Sequence, residues 1–353
     1  MELYDFRIGE VVGFIKRRRA KRVLMQFADG LKQYSKQVTD EVSSKLREVE
    51  LVVSGDSCYG ACDVAFDEAL SIGADCLIHF GHAPFPEAYS YAERVGVNIL
   101  FVEGFSNLDV INPLEKAISL LSELNAKAVG LTATVQHVHS LPRAVSYLRS
   151  RGYEAYVGRA CGRAFYDGQV LGCDYSTATA ISDRVDAFIH LGGGLFHALG
   201  LRLMVDKPVI ACDPYRGGAY IIDEEARKVK ASRLYTVAKC MDLKSFGVVV
   251  GCKWRQRHMS SAKMIRDSLK AKGYEALLLT VREVTPETLE NFVDLDAFVI
   301  TACPRIPIDD YERFRKPLLT VREVMILTGH LKLEEWALCD WEFNEKAPRY
   351  TAV

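Results

Sequence analysis

The chain has 353 residues, 49% of them hydrophobic and 26% charged, with a net charge of −1. That length suits two or three packed units rather than one, and the balanced charge gives no electrostatic argument for nucleic acid or an anionic membrane as a partner. Ten cysteines are scattered through a large chain, whereas secreted disulfide scaffolds are small and cysteine-dense, so free thiols in a reducing cytoplasm are expected.

The N-terminus has no apolar signal core. Residues 16–22 form a basic run ahead of an apolar strand at 23–27. It reads as a helix C-terminus whose cations complement the dipole, with an RNA or partner patch as the rival. The β-branched run at 49–53 predicts a buried strand. After it comes Gly55-Asp56-Ser57-Cys58-Tyr59-Gly60-Ala61-Cys62-Asp63, whose glycines permit sharp turns. Helical character over 63–70 then puts Cys58 on a strand-to-helix loop, where open α/β sheets carry chemistry. Further strands are predicted at 76–81 and 97–103.

A second series of strands follows at 128–135, 154–157, 187–191 and 208–212, and a third at 246–252, 275–280, 297–301 and 317–321. Helical stretches lie between, two of which stop at Gly152 and Gly273. The most apolar window, 187–205, contains His190, His197 and Arg202 and does not read as a membrane span. Residues 334–341 follow the last repeat and are expected to pack on an outer surface.

The three series are copies of one unit. Each third strand is introduced by an aspartate, and Asp75, Asp186 and Asp296 stand 111 and 110 residues apart. Alternating strands and helices imply parallel sheets with right-handed crossovers. The expected fold is therefore α/β: three homologous domains at 1–106, 107–216 and 217–353, with loops that converge in a pseudo-three-fold arrangement.

Each copy offers one cysteine on a glycine- or proline-marked loop: Cys58, Cys173 and Cys303. Three thiolates at such a mouth suit a [4Fe–4S] cluster with one iron lacking a protein ligand, with zinc as a second choice by ligand softness. Cys58 and Cys62 begin like a CxxxCxxC loop, but its third position is Ala65, so Cys62 is read as a packed thiol. Cys161 is the rival of Cys173 in the second copy. Cys76, Cys212 and Cys252 read as core thiols within strands. The run Gly192-Gly193-Gly194 before His197 offers bare N–H groups to a carboxylate or phosphate, or else is a tight turn. His82 occupies a comparable loop. Lys253, Arg255, Arg257 and His258 are candidates for an anionic group or a partner, or a solvated loop.

Several strings together carry a family resemblance: Gly55-Asp56-Ser57-Cys58-Tyr59-Gly60-Ala61-Cys62, Gln169-Val170-Leu171-Gly172-Cys173 and Thr301-Ala302-Cys303-Pro304-Arg305. To these are added Gln26-Phe27-Ala28-Asp29-Gly30-Leu31, His79-Phe80-Gly81-His82 and Gly192-Gly193-Gly194-Leu195-Phe196-His197. With them the chain resembles the Dph1/Dph2 family of diphthamide-biosynthesis enzymes. The resemblance implies a homodimer with a [4Fe–4S] cluster on Cys58, Cys173 and Cys303. It implies S-adenosyl-L-methionine as cofactor, cleaved to methylthioadenosine and a 3-amino-3-carboxypropyl radical; the turn read above, Gly192, Gly193 and Gly194 with His197, is the expected contact for that cofactor. The acceptor it implies is C2 of a histidine of translation elongation factor 2, in the first step of diphthamide biosynthesis, with a separate electron donor. No catalytic side chain beyond the ligands is assigned. The alternatives are a quinolinate synthase-like [4Fe–4S] dehydratase and cyclase, and a non-catalytic iron–sulfur or zinc scaffold.

Overall fold

The computed structural model describes residues 3–338. A short antiparallel pair joins β1 (Tyr4–Asp5) to β6 (Phe105–Ser106) and brackets the first unit. Inside it lie β2 (Arg22–Phe27), β3 (Glu50–Val53), β4 (Cys76–Phe80) and β5 (Asn98–Val102). They form a parallel sheet of order β3-β2-β4-β5. The second sheet comprises β7 (Ala128–Ala133), β8 (Glu154–Val157), β9 (Ala187–Leu191), β10 (Val209–Asp213) and β11 (Gly218–Ile221). Its order is β11-β10-β9-β7-β8. The third holds β12 (Ser245–Gly251), β13 (Glu275–Val281), β14 (Ala297–Ile300) and β15 (Leu318–Thr320), in the order β13-β12-β14-β15.

The four parallel strands of each sheet share one order. The first strand lies between the second and third, and the fourth lies beyond the third. The aspartate that marks the sequence repeat has the same task in all three. One Asp75 oxygen accepts from the backbone N–H groups of Lys21 and Arg22 at 2.7 and 2.9 Å. Asp186 does so for Lys127 and Ala128 at 2.8 Å each, and Asp296 for Lys244 and Ser245 at 3.0 and 2.9 Å. Each carboxylate thus ties the start of the third strand to the start of the first. These bonds hold all three carboxyls below the usual aspartate range.

Three expectations need correction. The 49–53 run forms an edge strand rather than a buried one: β3 pairs only with β2, and Glu50 and Val53 are exposed. Sheet two is not wholly parallel, because the chain turns back through Gly217 at φ +60° and adds β11 antiparallel to β10. The segment after the repeat is not an outer layer either. Trp336 and Leu338 are buried in the core shared by the second and third sheets, and the Trp336 indole N–H donates to the buried carboxylate of Glu323 at 3.1 Å. Cys339, Asp340 and Trp341, part of the same expectation, lie outside the described residues.

The basic run behaves as expected. Lys16, Arg17 and Arg18 form the last turn of the Ile8–Arg18 helix, and Arg19 closes it in the left-handed conformation. Both faces of every sheet are covered by apolar side chains. Leu171 and Trp254, from the second and third units, pack onto a core of the first. The units therefore meet at their loop ends. Among the described residues no helix is long and apolar enough to cross a membrane.

Candidate metal centre

The loops that leave the C-terminal ends of the strands meet around one cavity. Its wall includes Cys62 from the loop after β3, Cys173 from the loop after β8 and Cys303 from the loop after β14. Each sheet thus contributes one thiol. Arg163, Arg255, Arg322 and His258 line the same space, and Ile300, Val321, Met325, Leu331 and Leu338 give it an apolar side.

Cys173 and Cys303 are where the sequence reading put them, but their companion is Cys62 and not Cys58. The reason is local. Asp29 grips the main chain of Cys58 from both sides: its carboxylate accepts the Cys58 N–H at 3.0 Å, and its own N–H donates to the Cys58 carbonyl at 3.1 Å. Cys58 is thereby held inside the first unit, 1% exposed. Beyond it the chain turns at Gly60, whose carbonyl accepts from Asp63 N–H. This turn delivers Cys62 to the third unit. The Arg255 N–H donates to the Cys62 carbonyl at 3.1 Å, and the Gln256 amide donates to its Sγ at 3.6 Å. One cysteine per unit is preserved with Cys62 in that place. Cys161 is exposed and is not part of the cavity wall. Cys76 and Cys212 are core thiols as read, whereas Cys252 lies one residue past β12 and is only half-buried.

Electrostatics marks the three thiols as one centre. Burial pushes Cys62 up to about 12, and the neighbouring Cys303 and Cys173 push in the same direction. Burial, then Cys173, raises Cys303 to about 11. Three thiolates this close repel one another, and a bound cation removes that repulsion. Two donors already point at the sulfurs, Gln256 at Cys62 and the Arg163 guanidinium at Cys173, the latter at 3.5 Å.

The basic loop after β12 serves mainly as a brace. Lys253 is 6% exposed and donates to Asp63, itself 9% exposed, at 2.6 Å and to Ser57 at 3.0 Å, and it pairs with Glu283. Burial raises Asp63 to about 6 despite the lysine. Burial also works to lower Lys253, but Asp63 and Glu283 outweigh it, so the amine stays cationic. Arg257 pairs with Asp67, and Arg255 with Glu87. The third unit thus clamps the loop that carries Cys62. A sequence reading finds Lys253 but not its partner, because 190 residues separate them.

The 192–194 turn lies elsewhere in the same region. Gly192 N–H donates to Cys212 carbonyl, and Gly194 N–H to the Asp213 carboxylate at 3.1 Å. Two of its three N–H groups are therefore engaged, and the adjacent carboxylate disfavours another anion. A Cβ on Gly193 would meet the Tyr215 ring at 2.9 Å. Around the turn, both ring nitrogens of His137 and Nε2 of His190 are buried without a hydrogen-bond partner. The His197 ring stacks on His190 with centroids 5.9 Å apart. Burial, then the nearby Arg305 and His82, lowers His197 to about 3.

Fold and site together define an α/β protein with a candidate metal centre built from three thiols, one per sheet. Residues 27–341 match the family described as "Putative diphthamide synthesis protein". The chain belongs to this family, and it is an enzyme. It is 38% identical to a 2-(3-amino-3-carboxypropyl)histidine synthase of Pyrococcus horikoshii over 97% of this chain and 94% of that protein. It is 29% identical to subunit 1 of the Homo sapiens synthase, over 92% of this chain and 72% of that one. The crystal structure of Dph2 from Pyrococcus horikoshii with a 4Fe-4S cluster superposes with a TM-score of 0.85 at 35% identity, covering 96% of this chain and 94% of that one.

Proposed function

We propose that this chain transfers a 3-amino-3-carboxypropyl group from S-adenosyl-L-methionine to a histidine of translation elongation factor 2, the first step of diphthamide biosynthesis. The observation that carries the reading is the meeting of Cys62, Cys173 and Cys303 on one cavity, one thiol from each sheet. The donor set fits a [4Fe–4S] cluster: soft, buried, mutually repelling thiols, with hydrogen-bond donors aimed at two of the sulfurs. When bound, such a cluster supplies the electron that cleaves a sulfonium reductively.

The chain's own groups do the rest. The three cysteines hold the metal, with Cys62 in place of the Cys58 expected from sequence. Gln256 and Arg163 stabilise negative charge on the sulfurs. The arginines of the cavity match an amino-acid carboxylate, and its apolar side matches the thioether and excludes water. Which S–C bond breaks is a matter of how these walls orient the sulfonium. Three domains, the second running past residue 216 to take in β11, a homodimer, a separate electron donor and a cytoplasmic setting belong to the same proposal. Family membership leaves the quinolinate synthase-like and scaffold readings without a supporting observation. The test is anaerobic reconstitution with iron and sulfide, reduction, and addition of S-adenosyl-L-methionine and elongation factor 2. Methylthioadenosine and a matching mass gain on the acceptor histidine are expected.

A further inference from the structure

We propose that His82 binds the acceptor: its Nε2 accepts a hydrogen bond from a ring N–H of the imidazole to be modified. The inference rests on the reading above for the identity of that ring. The acceptor lone pair itself follows from the hydrogen bonds alone.

The chain of bonds starts at Gln26, which is 2% exposed. Its amide orientation is fixed from both sides. Its Nε2 donates to the Asp63 carbonyl at 2.6 Å, and its Oε1 accepts the Ala65 N–H at 3.0 Å. His79 Nδ1 lies 2.8 Å from that Oε1, so it must carry the hydrogen and donate. His79 is fully buried, and burial drives its pKa well below the usual histidine range. A neutral ring with a protonated Nδ1 has a bare Nε2. That atom lies 2.9 Å from His82 Nδ1, which must therefore be the donor. Burial also holds His82 neutral, at about 4. One proton on Nδ1 leaves Nε2 with a lone pair, and it makes no hydrogen bond among the described residues. Unlike the orphaned nitrogens of His137 and His190, it is not sealed from solvent, for the residue is only half-buried.

Position and surroundings select the ligand. His82 follows β4, His197 follows β9 and Arg305 follows β14, the third strand of each sheet. His197 feels the charges of both Arg305 and His82, and Arg305 also acts on Cys303. His82 therefore stands at the convergence of the loops that build the thiol centre. The His82 ring packs against His79 with centroids 5.1 Å apart, and His79 in turn against Phe101 at 5.0 Å. A neutral acceptor beside a flat ring suits a planar N–H donor better than an anion. In an imidazole, C2 lies between the two nitrogens, so a bond to either nitrogen fixes C2 within one bond length of the anchor. Cys58 Sγ and ligand atoms of His79 and His82 also lie within 4.8 Å of one another. The 2.9 Å between the two nitrogens is a hydrogen bond, shorter than the roughly 3.3 Å that separates two ligands on tetrahedral zinc.

Two variants separate binding from folding. In His82→Asn the amide N–H still donates to His79, but the distal acceptor is gone. In His82→Gln an amide oxygen reaches the position of Nε2. With cluster-loaded protein, His82→Asn should keep wild-type iron and release methylthioadenosine from S-adenosyl-L-methionine at the wild-type rate. The fraction of turnovers that modify elongation factor 2 should fall at least tenfold, and His82→Gln should recover most of it. Nitrogen-15 NMR of the wild type should show His82 with Nδ1 protonated and Nε2 bare. A protonated Nε2 overturns the inference whatever the enzyme's reaction is. So does full coupling in His82→Asn, an equal loss of cofactor cleavage in that variant, or a stoichiometric non-iron metal that disappears in Cys58→Ala. Absence of methylthioadenosine from the wild type would instead overturn the proposed function.

Discussion

Replacing Lys253 by methionine tests the brace between the first and third units. The lysine and Asp63 are 6% and 9% exposed, so the substitution leaves a buried carboxylate without its cation. Removing one partner of a buried pair costs about 3–5 kcal/mol. A second route gives the same size. Unpaired Asp63 would take up a proton at pH 7, and forcing that from the ordinary value of 3.8 costs at most about 4 kcal/mol at roughly 1.4 kcal/mol per pH unit. Glu283 is 38% exposed and adds little, since water replaces the lysine there. For 353 residues the unfolding entropy is about 0.7 kcal/mol per kelvin, so the midpoint should fall by about 4–7 °C if the chain melts as one. The assay is calorimetry on the cluster-loaded protein, with Lys253→Met/Asp63→Leu beside the single variant. The double variant should recover most of the loss, because no charge is stranded. Iron release to a chelator should quicken in the single variant, since Asp63 adjoins Cys62. A shift below about 1 °C, or a double variant no better than the single one, would refute the reasoning.

Asp186→Asn should flatten the acid limb of stability. The folded carboxyl is depressed, so its contribution is present above the unfolded value near 3.8 and is lost as pH falls through the folded value. The group is exposed, so the loss at pH 7 should be about 1 kcal/mol or less; thermal melts from pH 3 to 7 measure it, and an unchanged acid limb would contradict it. Arg163→Leu removes a cationic donor 3.5 Å from Cys173 Sγ, so the cluster's reduction potential should become more negative, read by redox titration under EPR. Gly193→Val should cost about 1–3 kcal/mol in a denaturant titration through the Tyr215 ring while leaving the cluster spectrum unchanged.

Much of the fold was legible because its signals are local. The strand runs fall within a residue or two of β2 to β15, apart from β6 and β11, and the aspartate spacing marks three carboxylates that each collect two backbone N–H groups. Strand runs cannot tell an edge from a centre, so β3 was expected to be buried; exposure at Glu50 and Val53 comes from its missing neighbour. The centre was legible to within one turn of chain. Cys58 and Cys62 share a loop, and only the Asp29 grip and the Gly60 turn decide which sulfur faces the other units. Those are tertiary facts. So is the bond chain from Gln26 to His82, whose first two members are 53 residues apart.

The central claim is that Cys62, Cys173 and Cys303, and not Cys58, hold the cluster. The direct measurement is iron content together with methylthioadenosine release in five single alanine variants, at positions 58, 62, 161, 173 and 303, each reconstituted anaerobically. Alanine at 62, 173 or 303 removes a thiolate that no neighbour replaces, so iron should fall and cleavage should be lost. Alanine at 58 or 161 should keep both, apart from a packing loss at the buried Cys58. Full iron and activity in Cys62→Ala, with both lost in Cys58→Ala, would contradict the account.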